Sequence, residues 1–204
     1  MVSGVAGVLL AAGGGRRLGG RVKALLRHRG LPLVELAAGE LRGAGCAPVV
    51  VVLGAGADEV VAGARLDGCR VVRNPAWESG LGSSLRAGLA ALAALPEPPA
   101  GALVALVDQP WVGAAAMARV AGALRSPETL AAAAYGGERG HPVLFGAAHL
   151  AAVADGARGD RGARDYLRER ADRLTLVECG DVASPQDIDQ PADLARLSGP
   201  PPHR

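Results

Sequence analysis

The sequence has few aromatic residues and few cysteines, and each scarcity excludes a class of protein. Two Trp, two Tyr and one Phe occur among 204 residues, so we expect a core of Ala, Val and Leu with close helix-on-sheet packing. Cys46, Cys69 and Cys179 form no CxxC pair, which argues against a disulfide framework and a thiolate zinc site. The formal net charge is +2 and no basic stripe alternates with aromatic residues, so no nucleic-acid partner is expected.

Long apolar runs and targeting signals are also lacking. No segment approaches the roughly 20 apolar residues of a membrane-spanning helix, and the first four residues lack the positive charge of a signal peptide. We therefore expect a cytoplasmic protein without a membrane partner. No linker or repeat interrupts the chain, so we expect a single domain over residues 1–197, a monomer, and an unstructured Pro-rich tail over residues 198–204.

Short apolar segments alternate with helical patterns through the first 130 residues. We predict strands at 5–11, 48–53, 70–73 and 102–106, and helices at 32–41, 57–66, 83–95 and 114–124. This alternation predicts a mostly parallel sheet of the α/β class. After residue 130 we predict strands at 131–135, 143–145 and 174–178, and helices at 147–154 and 161–169.

A Gly-rich segment follows the first predicted strand and is the strongest functional signal. Its glycines, Gly13 to Gly15, let backbone N–H groups wrap an anion, and Arg17 and Lys23 can add positive charge. The segment is not a Walker A loop, because no Ser or Thr follows Lys23. It is not a dinucleotide fingerprint either, because Leu18 stands at the third glycine position.

Lys23 is the only lysine among 22 Lys and Arg residues. A lysine kept where arginine is used everywhere else indicates a need for a compact ammonium rather than a planar guanidinium. Its place in the Gly-rich segment favours a functional role. The alternative is that chance placed the one lysine there.

The segment 73–86 leaves a predicted strand, passes through glycines and enters a helix near Ser83 and Ser84. A helix start offers free N–H donors and hydroxyl groups to a polar ligand. Two ordinary explanations stay open, because either serine could be a simple helix N-cap and Trp77 could pack the loop.

Acidic residues at two places are candidate metal ligands. Asp108 lies at the carboxyl end of a predicted strand, where ligands bind in open α/β sheets, and Mg²⁺ prefers a few carboxylates together with phosphate oxygens. Asp187 and Asp189 stand two apart and would face the same way in an extended chain. The alternatives are a turn before Pro110 for Asp108, and a helix start before Pro191 for the acidic pair.

Two later segments could be turns or substrate contacts. One links two predicted short strands and contains His141, and a lone histidine is more often a hydrogen-bonding residue than a catalyst. The other spans residues 159–164 and opens a predicted helix. Acidic residues dilute the arginines of this region, which predicts a solvated helix face; these arginines are Arg158, Arg161, Arg164, Arg168, Arg170 and Arg173.

Taken in order along the chain, these segments resemble the MobA-like nucleotidyltransferases, and among them most closely the molybdenum cofactor cytidylyltransferases. The resemblance extends from Leu9 to about Leu197. Each segment alone is a weak indication of this family, but their occurrence in this order along the chain is specific to it. The resemblance rests on Leu10-Ala11-Ala12-Gly13 with Arg17 and Lys23, Asn74-Pro75-Ala76-Trp77 with Gly80 and Ser83-Ser84-Leu85, Asp108-Gln109-Pro110, Gly140-His141-Pro142, Gly159 to Arg164, and Asp187-Ile188-Asp189.

The resemblance implies a Rossmann-like, three-layer α/β/α nucleotidyltransferase fold that binds a nucleoside triphosphate over its first loop. It implies that the nucleotide contacts Leu10, Ala11, Ala12, Gly13, Ser83 and Ser84, and that catalysis and phosphate binding involve Arg17, Lys23 and Asp108. It further implies Mg²⁺ as cofactor, held by Asp108 and Asp189, and a pterin substrate against Gly140, His141, Pro142 and Asp160.

The reaction implied by the resemblance joins CMP to molybdopterin. The terminal phosphate of molybdopterin attacks the α-phosphate of CTP, expels pyrophosphate and yields the cytosine dinucleotide. Because a phosphate nucleophile is already anionic at neutral pH, the reaction needs positioning and charge neutralisation rather than a general base. The expected partners are CTP, a molybdopterin-type substrate and a molybdenum hydroxylase apoenzyme that receives the product.

One position bears on the choice of base, and four depart from the family pattern. Guanylyltransferase relatives resemble Leu-Ala-Gly-Gly at the first loop, so the methyl group of Ala12 would narrow the pocket and favour a pyrimidine. One methyl group is worth only about 1–3 kcal/mol of discrimination. The departures are Gly15, Val22, Gln190 and Ala192.

Two alternatives remain open. A related transferase could use another base or acceptor, which includes guanylyl transfer to molybdopterin and transfer to a sugar or phospholactate derivative. A non-catalytic module that delivers cofactor to a molybdenum enzyme would bind CTP without releasing pyrophosphate, and the four departures are its only support.

Overall fold

The computed structural model describes residues 4–198, and its central feature is a seven-stranded sheet. The sheet strands are β1 (Val5–Ala11), β4 (Val49–Leu53), β5 (Cys69–Arg73), β6 (Gly101–Leu106), β7 (Leu130–Tyr135), β8 (Glu138–Gly146) and β9 (Leu174–Glu178). A separate two-stranded hairpin consists of β2 (Arg27–His28) and β3 (Leu31–Pro32).

The strands of the large sheet are arranged in the order β5-β4-β1-β6-β8-β7-β9. Strands β5, β4, β1 and β6 pair in parallel, and so do β7 and β9. Strand β8 is inserted antiparallel between β6 and β7. The predicted mostly parallel sheet is therefore confirmed, and the carboxyl ends of β1, β4 and β6 meet at one edge.

Helices cover both faces of the sheet, as the predicted three-layer fold requires. They are α1 (Leu33–Gly43), α2 (Ala57–Gly63), α3 (Leu81–Ala93), α4 (Gly113–Ala121), α5 (Leu150–Gly156) and α6 (Arg164–Glu169). Leu41 of α1 and Met117 of α4 belong to the core on one face, whereas Leu92 of α3 and Leu167 of α6 belong to the core on the other. Within residues 4–198, no helix is long and apolar enough to cross a membrane.

Small residues bring the helices close to the sheet, as the composition predicts. A methyl group at Gly88 of α3 would lie 2.6 Å from Val8 Cγ1 of β1. On the other face, a methyl group at Gly7 would lie 3.3 Å from the side chain of Leu41. Larger residues at these points would push α3 and α1 away from the central strand β1, which leads into the Gly-rich loop.

The predicted boundaries are wrong mainly after residue 130. The strand predicted at 143–145 is the nine-residue β8, so the Gly-His-Pro segment lies within a strand and not in a loop between strands. Glycine and proline hid the strand, because both punctuate strand patterns. The chain turns earlier, at Gly136 and Gly137, which have φ angles of +62° and +83° and suit a tight hairpin turn.

Several helix ends also differ from the predictions. The helix predicted at 57–66 ends at Gly63, and the one predicted at 161–169 begins at Arg164 after a 3-10 turn over Gly159–Arg161. Beyond β9, the last described element is a 3-10 helix, Pro191–Ser198, whose Leu197 joins the core. The predicted tail lies outside the described residues, apart from Ser198.

Candidate functional site

A cavity of about 510 Å³ lies at the carboxyl edge of the sheet, where β1 and β6 end. The loop after β1, the residues after β6 and the first turn of α3 surround it. The residues that line the cavity are Leu10, Ala12 to Arg17, Lys23, Trp77, Glu78, Gly80, Leu81, Ser84, Leu106, Val107, Asp108, Asp160 and Asp189. The first loop, the α3 segment and both candidate metal carboxylates are thus brought to one place.

The β1 loop folds back on itself at Gly15, which has a φ angle of +55°. A Cβ atom here would collide with the backbone oxygen of Arg21, so this departure from the family pattern matches the backbone geometry. The Gly15 carbonyl accepts hydrogen bonds from Leu18 N (2.8 Å) and Gly20 N (3.1 Å). The turn leaves the backbone of Gly13 and Gly14 along the cavity.

Lys23 lies between two carboxylates at the base of this cavity. Its Nζ donates hydrogen bonds to Asp108 Oδ2 at 2.8 Å and to Asp189 Oδ1 at 3.0 Å. Arg17 pairs with the other oxygen of Asp189. The Lys23 side chain is 12% exposed and that of Arg17 is 73% exposed, so Lys23 is fixed within the cluster and Arg17 stands at its rim.

The electrostatics of the cluster favour the charged forms of Lys23 and Asp189. Burial alone would lower the pKa of Lys23, but the charge of Asp108 and the hydrogen bonds to both carboxylates outweigh burial and raise it. The hydrogen bond from Lys23, supported by Arg17, holds the pKa of Asp189 below its usual value. At neutral pH Lys23 is therefore an ammonium and Asp189 a carboxylate.

The segment after Cys179 brings Asp189 to the site from the far end of the chain. Ser184 N donates to Trp111 O at 3.1 Å, and Ile188 N donates to Asp108 O at 2.9 Å. The Ile188 side chain is fully buried. Asp187 is exposed and does not line the cavity, so of the acidic pair only Asp189 faces the cluster.

Asn74 and the two serines form a hydrogen-bonded network beneath α3. Asn74 Nδ2 donates to Ser83 Oγ at 2.8 Å and to Ser84 Oγ at 3.1 Å. Ser83 Oγ donates to the backbone oxygens of Ala76 and Gly80, both at 2.9 Å. Ser83 is therefore occupied within the protein, and only Ser84 lines the cavity.

A second cavity of about 340 Å³ adjoins the first one and shares Leu10, Leu81 and Asp160 with it. Its apolar side is formed by α3, β6, β8 and α6, and its polar side by the end of β6, the start of β8 and the loop before α6. The lining residues are Leu10, Leu81, Leu85, Val104, Gln109, Arg139, Gly140, His141, Val143, Phe145, Asp160 to Arg164, Leu167 and Pro185.

His141 contributes a neutral imidazole to this second cavity. Burial lowers the pKa of His141 to about 4, against the opposing effect of Asp108, so the ring carries no charge at neutral pH. Tyr135 Oη donates to the backbone oxygen of His141 at 2.7 Å, and burial raises the Tyr135 pKa. The strand around His141 is therefore held by a phenol that stays protonated.

Two glycines let α3 pack against the loop that carries Asp160. A methyl group at Gly82 would lie 2.6 Å from Arg158 N, and one at Gly80 would lie 2.6 Å from Asp160 Oδ1. Gly80 also has a φ angle of +101°, which favours glycine. This close approach brings Asp160 to the boundary of both cavities.

Asp108 and Asp189 are the residues that could hold a divalent metal. Among residues 4–198, no cluster of three or more His, Cys, Asp or Glu side chains is suited to a metal ion. A pair of carboxylates still fits Mg²⁺, because Mg²⁺ is commonly held by one or two carboxylates together with substrate phosphates and water. The two carboxylates already share one cation, the Lys23 ammonium.

The predicted site residues divide into those that line a cavity and those that do not. Ala11, Ser83 and Pro142 are buried and line neither cavity; the other predicted residues line one or both. The sequence analysis did not single out Arg139, and it predicted a solvated face for Arg161 and Arg164, which are indeed exposed. All three line the second cavity, and no sequence signal separates them from neighbouring arginines.

Comparisons with known proteins find one matching family and a similar protein that covers nearly the whole chain. The model of the family described as "MobA-like NTP transferase domain" matches residues 7–174. A protein from Paenarthrobacter nicotinovorans named nicotine blue oxidoreductase is 42% identical over 200 residues, which cover 95% of this chain and 96% of that protein.

Solved structures with the same fold include a nucleotidyl transferase. This protein, Mth528 from Methanothermobacter, has a TM-score of 0.79 and 27% identity, covering 95% of each chain. Rv0371c from Mycobacterium tuberculosis, solved in complex with manganese, has a TM-score of 0.74 and 26% identity, covering 97% of this chain and 98% of that one.

Proposed function

Because the chain belongs to the MobA-like NTP transferase family, we propose that it joins CMP from CTP to the terminal phosphate of molybdopterin and releases pyrophosphate. The observation that carries the proposal is the cavity beside the β1 loop, where Lys23 bridges Asp108 and Asp189. A triphosphate needs backbone donors, fixed cations and metal-binding carboxylates in one place, and this cavity has all three.

In the proposed complex, the backbone of Gly13 and Gly14 holds the phosphates, since exposed N–H groups in a glycine loop suit an anion. Lys23 and Arg17 neutralise the charge that develops on the leaving pyrophosphate. Lys23 is held by its two carboxylates before the substrate arrives, and a metal bound by these carboxylates would free the ammonium to face the phosphates. The attacking phosphate is already anionic, so no residue has to act as general base.

A divalent metal would be held by Asp108 and Asp189 together with phosphate oxygens. It would neutralise phosphate charge and orient the α-phosphate for in-line attack. The manganese in the Rv0371c structure supports a divalent metal in this fold, and we propose Mg²⁺ for this chain. The chemistry of the two carboxylates fits such a hard cation.

The choice of CTP rests on Ala12, which is 6% exposed and lines the larger cavity. Its methyl group reduces the space for a base, so a pyrimidine fits better than a purine. Ser84 lies across the same cavity and is proposed to contact the base or ribose. The acceptor is proposed to occupy the second cavity, against Gly140, His141 and Asp160.

A second candidate function comes from the relative named nicotine blue oxidoreductase, which is 42% identical to this chain. Under this alternative, the two adjoining cavities would hold a reductant and an aromatic dye. Loss of the blue absorbance in an anaerobic mixture of protein, NADH or NADPH, and nicotine blue would support it. The β1 loop argues against it, because Leu18 replaces the third glycine of a dinucleotide fingerprint.

The test of the proposed function is product formation from molybdopterin, Mg²⁺ and each of CTP, GTP, ATP and UTP, followed by chromatography. A dinucleotide with CTP alone would support the reaction, the acceptor and the base together. A product with GTP instead would keep the reaction and refute the argument from Ala12. No product with any nucleotide, from protein shown to be folded, would refute transfer to molybdopterin.

The other expectations from the sequence remain proposals. They are a single domain over residues 1–197, a monomer, a cytoplasmic location and delivery of the product to a molybdenum hydroxylase. Size-exclusion chromatography with light scattering would test the monomer, and a mass of two chains would contradict it.

A further inference from the structure

Gln109 carries a buried acceptor that no described residue satisfies. Its side chain follows Asp108 at the end of β6 and lines the 340 Å³ cavity. Gln109 Nε2 donates to the backbone oxygen of Pro185 at 3.1 Å. Gln109 Oε1 is buried, and among residues 4–198 it has no hydrogen-bond partner.

The orientation of the amide follows from its one partner. The Pro185 oxygen can only accept a hydrogen bond, so the NH₂ group of Gln109 must face it and the carbonyl oxygen must face away. A reversed amide would set two oxygens against each other. An unsatisfied buried acceptor costs free energy comparable to a lost hydrogen bond. Because Gln109 lines the cavity, a small change in its side-chain torsion angles would turn Oε1 toward a donor there.

The other groups of the cavity define what that donor belongs to. Phe145, Val143 and Leu85 form an apolar side, which suits a flat ring system. Arg139 and Arg164 line the polar side, which suits an anionic group. His141 is neutral, because burial lowers its pKa to about 4, so it neither attracts nor repels an anion by charge. The ligand that fits is an anionic heterocycle that bears an N–H group.

We propose that Gln109 Oε1 accepts a hydrogen bond from an N–H group of the acceptor's heterocycle and thereby selects and orients the acceptor. This inference rests on the proposed function, because it takes the second cavity as the acceptor site. It assigns Gln109 a specificity role that is separate from the phosphate and metal chemistry of Asp108 beside it.

The test replaces Gln109 with Met, which keeps the length of the side chain and removes both polar groups. Gln186→Met is the matched control, because Gln186 is exposed and lines neither cavity. The probe is pterin-6-carboxylate, a fluorescent anionic heterocycle, with two analogues methylated on the ring N–H or on the exocyclic nitrogen. Fluorescence titration gives the Kd of each without turnover, and steady-state assays give KM for CTP and for molybdopterin.

We expect Gln109→Met to weaken pterin-6-carboxylate binding and raise the KM for molybdopterin by about 5- to 100-fold, as for an unpaired buried hydrogen bond. The KM for CTP should change less than about twofold, as should every constant of Gln186→Met. At least one methylated analogue should bind the wild-type protein more weakly than pterin-6-carboxylate does. The same analogue should bind Gln109→Met as tightly as pterin-6-carboxylate does, because the substitution and the methylation each remove the same hydrogen bond.

Three results would overturn the inference. The first is that each methylation weakens binding to the wild type and to Gln109→Met by the same factor. The second is that Gln109→Met raises the KM for CTP and the KM for molybdopterin by the same factor. The third is that pterin-6-carboxylate does not bind the wild type. The proposed function fails in a different way, by the absence of product from the wild type with any nucleotide, while the Kd pattern of the probes stays measurable.

Discussion

Lys23 illustrates how far single residues can be assigned from the sequence. Lys23 could be predicted as a functional residue because it is the only lysine in the sequence. The structure places its ammonium within 3.0 Å of two carboxylates. Asp108 was marked by its place at a strand end. Ser83 was also marked, yet its hydroxyl is bound to Ala76 and Gly80 within the protein. A sequence shows which residue types stand near a loop, but hydrogen-bond partners depend on the folded backbone.

Replacing Lys23 tests the phosphate-neutralising role. We expect Lys23→Ala to lower kcat/KM about 10²- to 10³-fold, the usual loss when one fixed donor to a developing negative charge is removed. Lys23→Arg keeps the charge but not the compact shape, and we expect it to recover only part of the loss. Steady-state pyrophosphate release measures both variants.

The fold should survive the change at Lys23, because the side chain adds little to the apolar core. Circular dichroism and a cooperative thermal transition provide the control. Wild-type kinetics in a folded Lys23→Ala protein would show that the lysine has no role in turnover.

Replacing Asp108 tests the metal site. Asp108→Asn removes the charge of one of the two proposed metal ligands, so we expect much weaker Mn²⁺ binding in the presence of CTP and loss of divalent-dependent turnover. Electron paramagnetic resonance of free Mn²⁺ measures the binding directly. Asp187→Asn is the matched control, since Asp187 is exposed and lines neither cavity. Equal Mn²⁺ affinity in both variants would show that Asp108 is not a metal ligand.

At the scale of secondary-structure elements, the first 130 residues were predicted better than the rest. Strands β1, β4 and β6 are long apolar runs with few breaks, so their pattern is clear. Strand β8 contains Gly140 and Pro142, and these residues conceal a strand whose pairing comes from β6 and β7. The packing of α3 against the loop before α6 depends on Gly80 and Gly82, a long-range contact that no local pattern contains.

Gly82→Ala tests that packing. The added methyl group would lie 2.6 Å from Arg158 N and 2.8 Å from Ala157 C, and backbone atoms cannot move aside cheaply. We expect a loss of about 1–3 kcal/mol in the free energy of unfolding, and a higher KM for molybdopterin because Asp160 is displaced. Denaturant unfolding and steady-state kinetics measure the two effects.

Gly39→Ala in α1 is the matched control for this prediction. No atom lies within 4 Å of the added methyl group, so the variant should gain about 0.5–1 kcal/mol from helix propensity. If Gly82→Ala were as stable as Gly39→Ala, this result would contradict the close packing of α3 against the loop before α6.

At the scale of the whole molecule, two partly buried ionisable groups give opposite dependences of stability on pH. Burial raises the pKa of Glu40 to about 7, so folding binds a proton between about pH 4.5 and 7, and stability falls as the pH rises. Burial lowers the pKa of His141 to about 4, so unfolding binds a proton between about pH 4 and 6.5, and stability rises with pH. The two slopes oppose each other in the wild type.

Substitution separates the two slopes. The difference in the free energy of unfolding between variant and wild type should depend on pH. For Glu40→Gln this difference should be more favourable to the variant at pH 8 than at pH 5. For His141→Gln it should be more favourable to the variant at pH 5 than at pH 8. One proton gives at most about 1.4 kcal/mol per pH unit, and less where solvent reaches the side chain. Urea unfolding at several pH values measures the difference, and parallel curves for all three proteins would contradict both pKa shifts.

The architecture as a whole could be predicted as a class but not as a topology. Alternating apolar strands and helices predicted a mostly parallel sheet, and the family resemblance implied helices on both faces; the structure confirms both. The insertion of β8 between β6 and β7 could not be predicted, because strand order depends on long-range packing. The same limit applies to the second cavity, whose walls come from α3, α6, three strands and the loops that carry Gln109, Asp160 and Pro185.

The most direct test of the central claim follows the phosphorus atoms of CTP. Wild-type protein is incubated with molybdopterin, Mg²⁺ and CTP labelled in either the α- or the γ-phosphate, and the products are separated. The account predicts the α-label in the dinucleotide and the γ-label in pyrophosphate. The γ-label in the pterin product, or no transfer of either label by folded protein, would contradict nucleotidyl transfer to molybdopterin at this site.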